Sequence, residues 1–222
     1  MCSSKKIKNK ISLLRALMEK TGIDAFLITH DDEYLLENTH KSNQRLKWII
    51  GFSGSAGFLV VSKLNLYLFV DGRYTLQSKI ETKGIKVKIL NINEVINFNY
   101  FNDKAEKIKN FGVYTKSLSY DYYYKLFTNA KEAKINIVNL NINLIDQIWK
   151  RNTKKQKTKK IFTLEKKYCD VAFSEKISQV KKHISKEKAD GIFIQNSESI
   201  AWLLNIRGSD LDFTPITLSH AI

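Results

Sequence analysis

Three stretches of this sequence combine residue types that could do chemistry. Asp71-Gly72-Arg73-Tyr74 closes a strongly apolar run, and strand ends in α/β sheets are where binding groups gather. An arginine beside a glycine turn can present its guanidinium to a carboxylate or carbonyl. The competing reading is that Asp71 caps the next helix and Arg73 makes a local ion pair. Gly51-Phe52-Ser53-Gly54-Ser55-Ala56-Gly57 has the glycine density of a phosphate loop. It lacks the Gly-Lys-Ser/Thr ending and leads into a strand pattern rather than a helix, and it is no nucleophile elbow. Its small residues are read instead as letting the chain turn and another backbone come close. His30-Asp31-Asp32-Glu33 follows an apolar run and is either a site at a strand end or a solvated acidic loop. His40, His183 and His220 are scattered without metal-ligand spacing, and Cys169 has no partner base in view.

These residues need elements to hold them. Ile7, Ile11, Leu14, Leu17 and Met18 recur at helical spacing, and Gly22 stands where a helix cap belongs. The run Ala25–Thr29 reads as a strand buried on both faces. Phe58–Ser62 and Leu66–Asp71, separated by Lys63-Leu64-Asn65, read as a hairpin. Helices are predicted at 74–82, 104–109, 120–130 and 144–150, alternating with strands at 85–90, 111–115 and 135–140. This alternation implies a mixed or mostly parallel sheet with helices on both faces. Beyond it the spacing predicts a helix over 174–188, a strand at 191–195, a short helix at 198–205 and a strand opening at 215.

The second pattern repeats the first. Ile23-Asp24-Ala25-Phe26-Leu27-Ile28 corresponds to Ala189-Asp190-Gly191-Ile192-Phe193-Ile194, and Trp48 through Ser55 to Trp202 through Ser209. The distance from Asp to Trp is longer in the first copy, which therefore carries an insertion. The second copy runs out at Ile222 inside what should be a hairpin, so the chain reads as truncated.

Composition narrows the classes. The 222 residues are 43% hydrophobic, enough for a real core, with no apolar run of the ~18 residues a membrane span needs. No secretory signal is visible, and two cysteines, Cys2 and Cys169, cannot build a disulfide framework. A cytoplasmic protein without a membrane role is expected. The formal charge is +15, yet only five of the 37 cations are arginine, whereas nucleic-acid readers lean on arginine. Lysine rises with asparagine and isoleucine while Pro215 is the single proline, the skew of an AT-rich genome. Nucleic acid is therefore disfavoured as a partner, with a stand-alone basic module for a polyanion as the alternative. The densest basic run, Lys150 to Lys160, reads as a solvated linker.

Taken together, Glu33-Tyr34, Arg45-Leu46 with Trp48, the Gly51–Gly57 run and Leu68 through Tyr74 followed by Gln77 resemble the N-terminal part of an Xaa-Pro aminopeptidase of the creatinase/prolidase superfamily. Asn143-Leu144-Ile145-Asp146 with Ile148-Trp149, Glu175-Lys176-Ile177 and Ile200 through Asp210 extend the resemblance over most of residues 11 to 220. It implies an α/β fold with a creatinase N-terminal-type domain over 1–150, a ribonuclease-H-like mixed sheet of about six strands with helices on both faces. A basic linker at 151–171 and the beginning of a second related domain at 172–222 would follow. It also implies a full-length, homodimeric enzyme cutting before proline at position two of a peptide. Two divalent ions, manganese or zinc, would sit in a C-terminal catalytic domain outside this sequence, so that this segment binds none and is inactive alone. One functional residue carries over: Arg73, implied to reach the peptide substrate. Trp202 and Arg207 are assigned to packing of the second domain.

Overall fold

The computed structural model describes residues 4–101, 106–150 and 160–222. They divide into two compact units, the first containing residues 1–33 and 41–152, the second 34–40 and 153–222.

In the first unit, α1 (Ser4–Lys20) buries Ile7, Ile11, Leu14 and Met18 along one stripe, the consequence of their three- and four-residue spacing. It stops at Gly22, whose φ of +69° is a left-handed conformation that glycine adopts without strain. The chain enters β1 (Ala25–Thr29), then α2 (Arg45–Ile50), and forms the hairpin β2 (Gly57–Ser62) and β3 (Leu66–Val70). It continues through α3 (Thr75–Glu81), β4 (Lys88–Asn91), β5 (Asn110–Val113), α4 (Tyr120–Glu132), β6 (Asn136–Asn139) and α5 (Leu144–Ile148). The strands form one six-stranded sheet in the order β4-β3-β2-β1-β5-β6. β2 runs antiparallel to both β1 and β3, and the remaining pairs are parallel. This is the expected mixed α/β sheet.

Alternation along the strands supplies two cores. Phe26, Ile28, Leu59, Val61, Leu66, Leu68 and Val70 pack on one face with side chains of α1, α2 and α5. Ala25, Leu27, Val60, Tyr67 and Phe69 face the other way, towards Leu126 and Ala130 of α4 and a cluster of phenylalanines. Burying each large apolar side chain contributes about 1.5–3 kcal/mol, so the central three strands anchor the unit.

Some expectations are corrected. Of the helix predicted at 104–109, Lys104 and Ala105 lie outside the described residues, and 107–109 are not helical. Lys107 takes a φ of +42°, incompatible with a helix, while Ile108 is buried in the second core. The linker expected at 151–171 falls on 151–159 outside the described residues, while Phe162–Thr163 is strand β7 of the second unit.

The second unit pairs β7 antiparallel with β8 (Ile206–Arg207) and carries α6 (Phe173–Lys186) and α7 (Ser197–Leu203). Its core joins Ala201, Leu211 and Ile216 to Leu36, so the heptapeptide Tyr34–His40 folds with this unit. The strand predicted at 191–195 reduces to one bridge, Ile194 to Ala221, because a strand needs a hydrogen-bonded neighbour. Residues 215–218 form no strand either, but run against 208–210. Asp210 accepts from the Leu218 amide at 2.9 Å and from Thr217 Oγ1 at 3.0 Å.

Candidate functional site

Arg73 sits just past the C-terminal end of β3. Asp71 takes an extended conformation and its carboxylate accepts from the Arg73 amide at 2.9 Å, capping the short 3-10 turn Gly72–Tyr74. The same oxygen, Oδ1, accepts from Arg73 Nε at 2.8 Å. Hydrogen bonds from Arg73 hold the Asp71 carboxyl below its ordinary range. The cap and the local ion pair are therefore both present, and the Arg73 side chain remains 69% exposed, its guanidinium 5.5 Å from the Tyr74 ring centroid.

The glycine run is built onto this turn. Gly51 ends α2 with a φ of +88°, as a left-handed cap requires. Tyr74 OH and Ser55 Oγ are 2.8 Å apart, and Phe52 meets the Tyr74 ring edge-on at 5.9 Å. A Cβ on Gly54 would stand 2.9 Å from the Tyr74 ring, so the backbone here lies directly on that aromatic. The Ser53 amide donates to Glu81 at 2.8 Å, and Gln77 donates to Ser53 Oγ at 2.9 Å. The loop's amide is thus taken by the chain's own carboxylate, consistent with a structural turn rather than a phosphate loop. His30, Lys47, Ser53 and Gly54 line a recess of about 40 Å³ beside it, the scale of one or a few water molecules. The sequence motifs around His30, the glycines and Arg73 therefore come together at one end of the sheet.

The acidic run is not a solvated loop. Asp32 is fully buried and accepts from Asn43 Nδ2 at 2.9 Å. Burial raises the Asp31 carboxyl above its usual range. Glu33 and Asp146 both grip Arg45, with Glu33 Oε1 at 2.6 Å from Nη2, and Asp146 Oδ1 and Oδ2 at 2.9 Å from Nε and Nη2. Tyr114 OH donates to Glu33 at 3.0 Å, and its ring lies under the guanidinium at 5.5 Å. Burial pushes the Glu33 carboxyl up, but Arg45's hydrogen bonds and charge outweigh it and hold the group low. Arg45 is only 2% exposed and ties the ends of β1 and β5 to α5. Sequence reasoning quoted Arg45 and Asp146 but did not pair them, since 101 positions separate them.

The other candidates disperse. His183 is exposed on α6, and His220 stacks on Tyr34 at 4.9 Å in the second unit. Arg207 Nη1 donates to the Ala201 carbonyl at 3.0 Å, whereas Trp202 stays 60% exposed with Lys176 Nζ 4.1 Å above its ring. Cys169 is a free thiol. No group of three or more His, Cys, Asp or Glu converges among the described residues, so these side chains do not fit a dinuclear metal centre. No described helix is long and apolar enough to cross a membrane.

Comparison with known proteins places the chain in a family. A family model described as the Creatinase/Prolidase N-terminal domain matches residues 10–147, and a second of the same description matches 152–222. A probable Xaa-Pro aminopeptidase P from Coprinopsis cinerea is 29% identical over 216 residues, covering 96% of this chain and 35% of its own length. Xaa-Pro aminopeptidase 1 from Dictyostelium discoideum is 29% identical over 225 residues, covering 97% and 36%. The chain thus spans about a third of the curated relatives it matches. Among solved structures, X-prolyl aminopeptidase from Caenorhabditis elegans, described as a cytosolic enzyme with a di-nuclear active site, superposes with a TM-score of 0.85 at 24% identity. That match covers 96% of this chain and 37% of the other and speaks for the fold.

Proposed function

Because this chain belongs to the creatinase/prolidase N-terminal family, we propose that it forms the non-catalytic N-terminal portion of a metal-dependent Xaa-Pro aminopeptidase. The observation that carries this reading is an alignment spanning 96% of the chain but 35% of an Xaa-Pro aminopeptidase. The divalent ions would polarise the scissile carbonyl and supply the attacking oxygen from elsewhere in the enzyme. This chain's own work is binding and shaping. Arg73 offers a charged hydrogen-bond donor to a carbonyl or carboxylate of a peptide with proline at position two. Asp71 fixes its turn, and Tyr74 rests on Gly54 and Ser55 so that the turn cannot rotate away. Homodimerisation and a cytoplasmic location belong to the same reading.

Kinetics of an enzyme that includes this chain test it. Arg73→Ala should lower kcat/KM for Xaa-Pro peptides at least tenfold, chiefly through KM, with the thermal midpoint unchanged. The 222-residue chain alone should cleave no such peptide. Unaltered kinetics would return Arg73 to a structural role, and cleavage by the chain alone would overturn the division of labour.

A further inference from the structure

Away from the glycine run, α1 and the hairpin turn of β2 and β3 enclose a second feature. A cleft of about 270 Å³ opens there, floored by Ile7, Ile11, Leu66 and Ile85. Lys8, Arg15 and Lys86 also line it, and no acid does. Leu64 forms one lip and is 61% exposed, a large apolar side chain left in water.

Arg15 is the unusual member. It is half-buried, and its Nε and Nη2 donate to the carbonyls of Ser62 at 2.8 Å and Asn65 at 3.3 Å. Both acceptors are neutral, and Nη1 has no hydrogen bond among the described residues. Burial lowers its pKa more than the charge of Glu106 raises it, so desolvation is incompletely offset. A second cleft of about 620 Å³ shares Ser12 and Arg15, but there Glu19 and Asp24 bring negative charge. Asp24 is already held by Lys63 at 2.8 Å. That second cleft is therefore balanced, Glu19 and Asp24 facing Arg15 and Lys63. The first gathers Arg15, Lys8 and Lys86 with no acid in its lining and favours an anion.

We propose that the cleft binds a medium-chain fatty carboxylate. Its headgroup would accept from Arg15 Nη1, with Lys8 and Lys86 at the rim, and its tail would cover Ile7, Ile11, Leu66 and Ile85. A carboxylate oxygen is a strong acceptor for a guanidinium N–H, and an open cleft of about 270 Å³ with an apolar floor leaves room for a short alkyl chain. The site is independent of the peptidase reading.

Titration of the 222-residue chain with octanoate, followed by amide chemical shifts and calorimetry, tests it. One saturable site is expected, with shifts at Ile7, Ile11, Leu66 and Ile85, and with octanol and acetate each at least tenfold weaker. Lys86→Glu, at an exposed position, should weaken octanoate at least fivefold, and Arg15→Gln more. If Arg15→Gln does not fold, Lys8→Glu combined with Lys86→Glu carries the same test. Octanol binding as tightly as octanoate would mean apolar adsorption only. That result, non-saturating shifts, or indifference to Lys86→Glu would each overturn the proposal.

Discussion

Arg45 draws together two carboxylates and an aromatic ring in the first unit. Its guanidinium is buried between Glu33 and Asp146 and over the Tyr114 ring. Removing one partner from such a group leaves the others uncompensated, so Arg45→Met should cost about 3 kcal/mol in a denaturant melt at pH 7. The pH dependence has a definite sign. Glu33 is held below its ordinary range by Arg45, so its contribution is full above the unfolded-state value and fades as acid protonates it. The gap between the parent and Arg45→Met should therefore narrow as pH falls from the ordinary glutamate range into more acidic solution. A gap constant down to pH 3 would assign the cost to packing alone. None of this was legible in the sequence. A buried arginine looks like any other until its partners, one of them 101 residues away, are known. The cap and ion pair of Asp71 and Arg73 are the opposite case, since both partners lie within one turn.

Elements were readable where local pattern and tertiary environment agree. The doubly buried β1 and the hairpin β2–β3 appear within a residue or two of expectation, because continuous apolar runs bounded by turn residues admit few alternatives. The edge strands β4 and β6 are shorter than their apolar runs, being half-buried and hydrogen-bonded on one side. The predicted strand at 191–195 is reduced to a bridge for want of a neighbour. Gly57, the first residue of β2, tests the close approach the glycine run was read to allow. A Cβ there would come 2.8 Å from the Phe52 ring and 3.1 Å from the Phe69 carbonyl oxygen of β3. The ring can shift, but the carbonyl belongs to the sheet. Gly57→Ala should therefore destabilise the first unit by about 1–3 kcal/mol, read as a lowered thermal midpoint. An unchanged midpoint would show that the hairpin yields at no cost.

At the scale of the whole molecule, the internal repeat led to the expectation of two copies of one unit, and two family models of the same description match residues 10–147 and 152–222. What the longer spacing in the first copy could not say is where its insertion goes. Leu36, 1% exposed, packs with Ala201, Leu211 and Ile216, and Tyr34 stacks on His220. Leu36→Ala should cost the second unit about 2–4 kcal/mol. Hydrogen exchange would then show faster exchange in α7 and around 208–218, with the six-stranded sheet protected as before. Uniform loss of protection across both units would contradict the division. This threading also bears on biosynthesis. The ribosome delivers Leu36 long before Ala201 or Ile216 exists, so on the nascent chain this leucine must wait in water until its partners are made. The later half of the repeat is therefore not a self-sufficient module. Cutting the polypeptide at the basic run would strip the later half of a piece of its own interior, and supplying the heptapeptide Tyr34–His40 in trans should restore it.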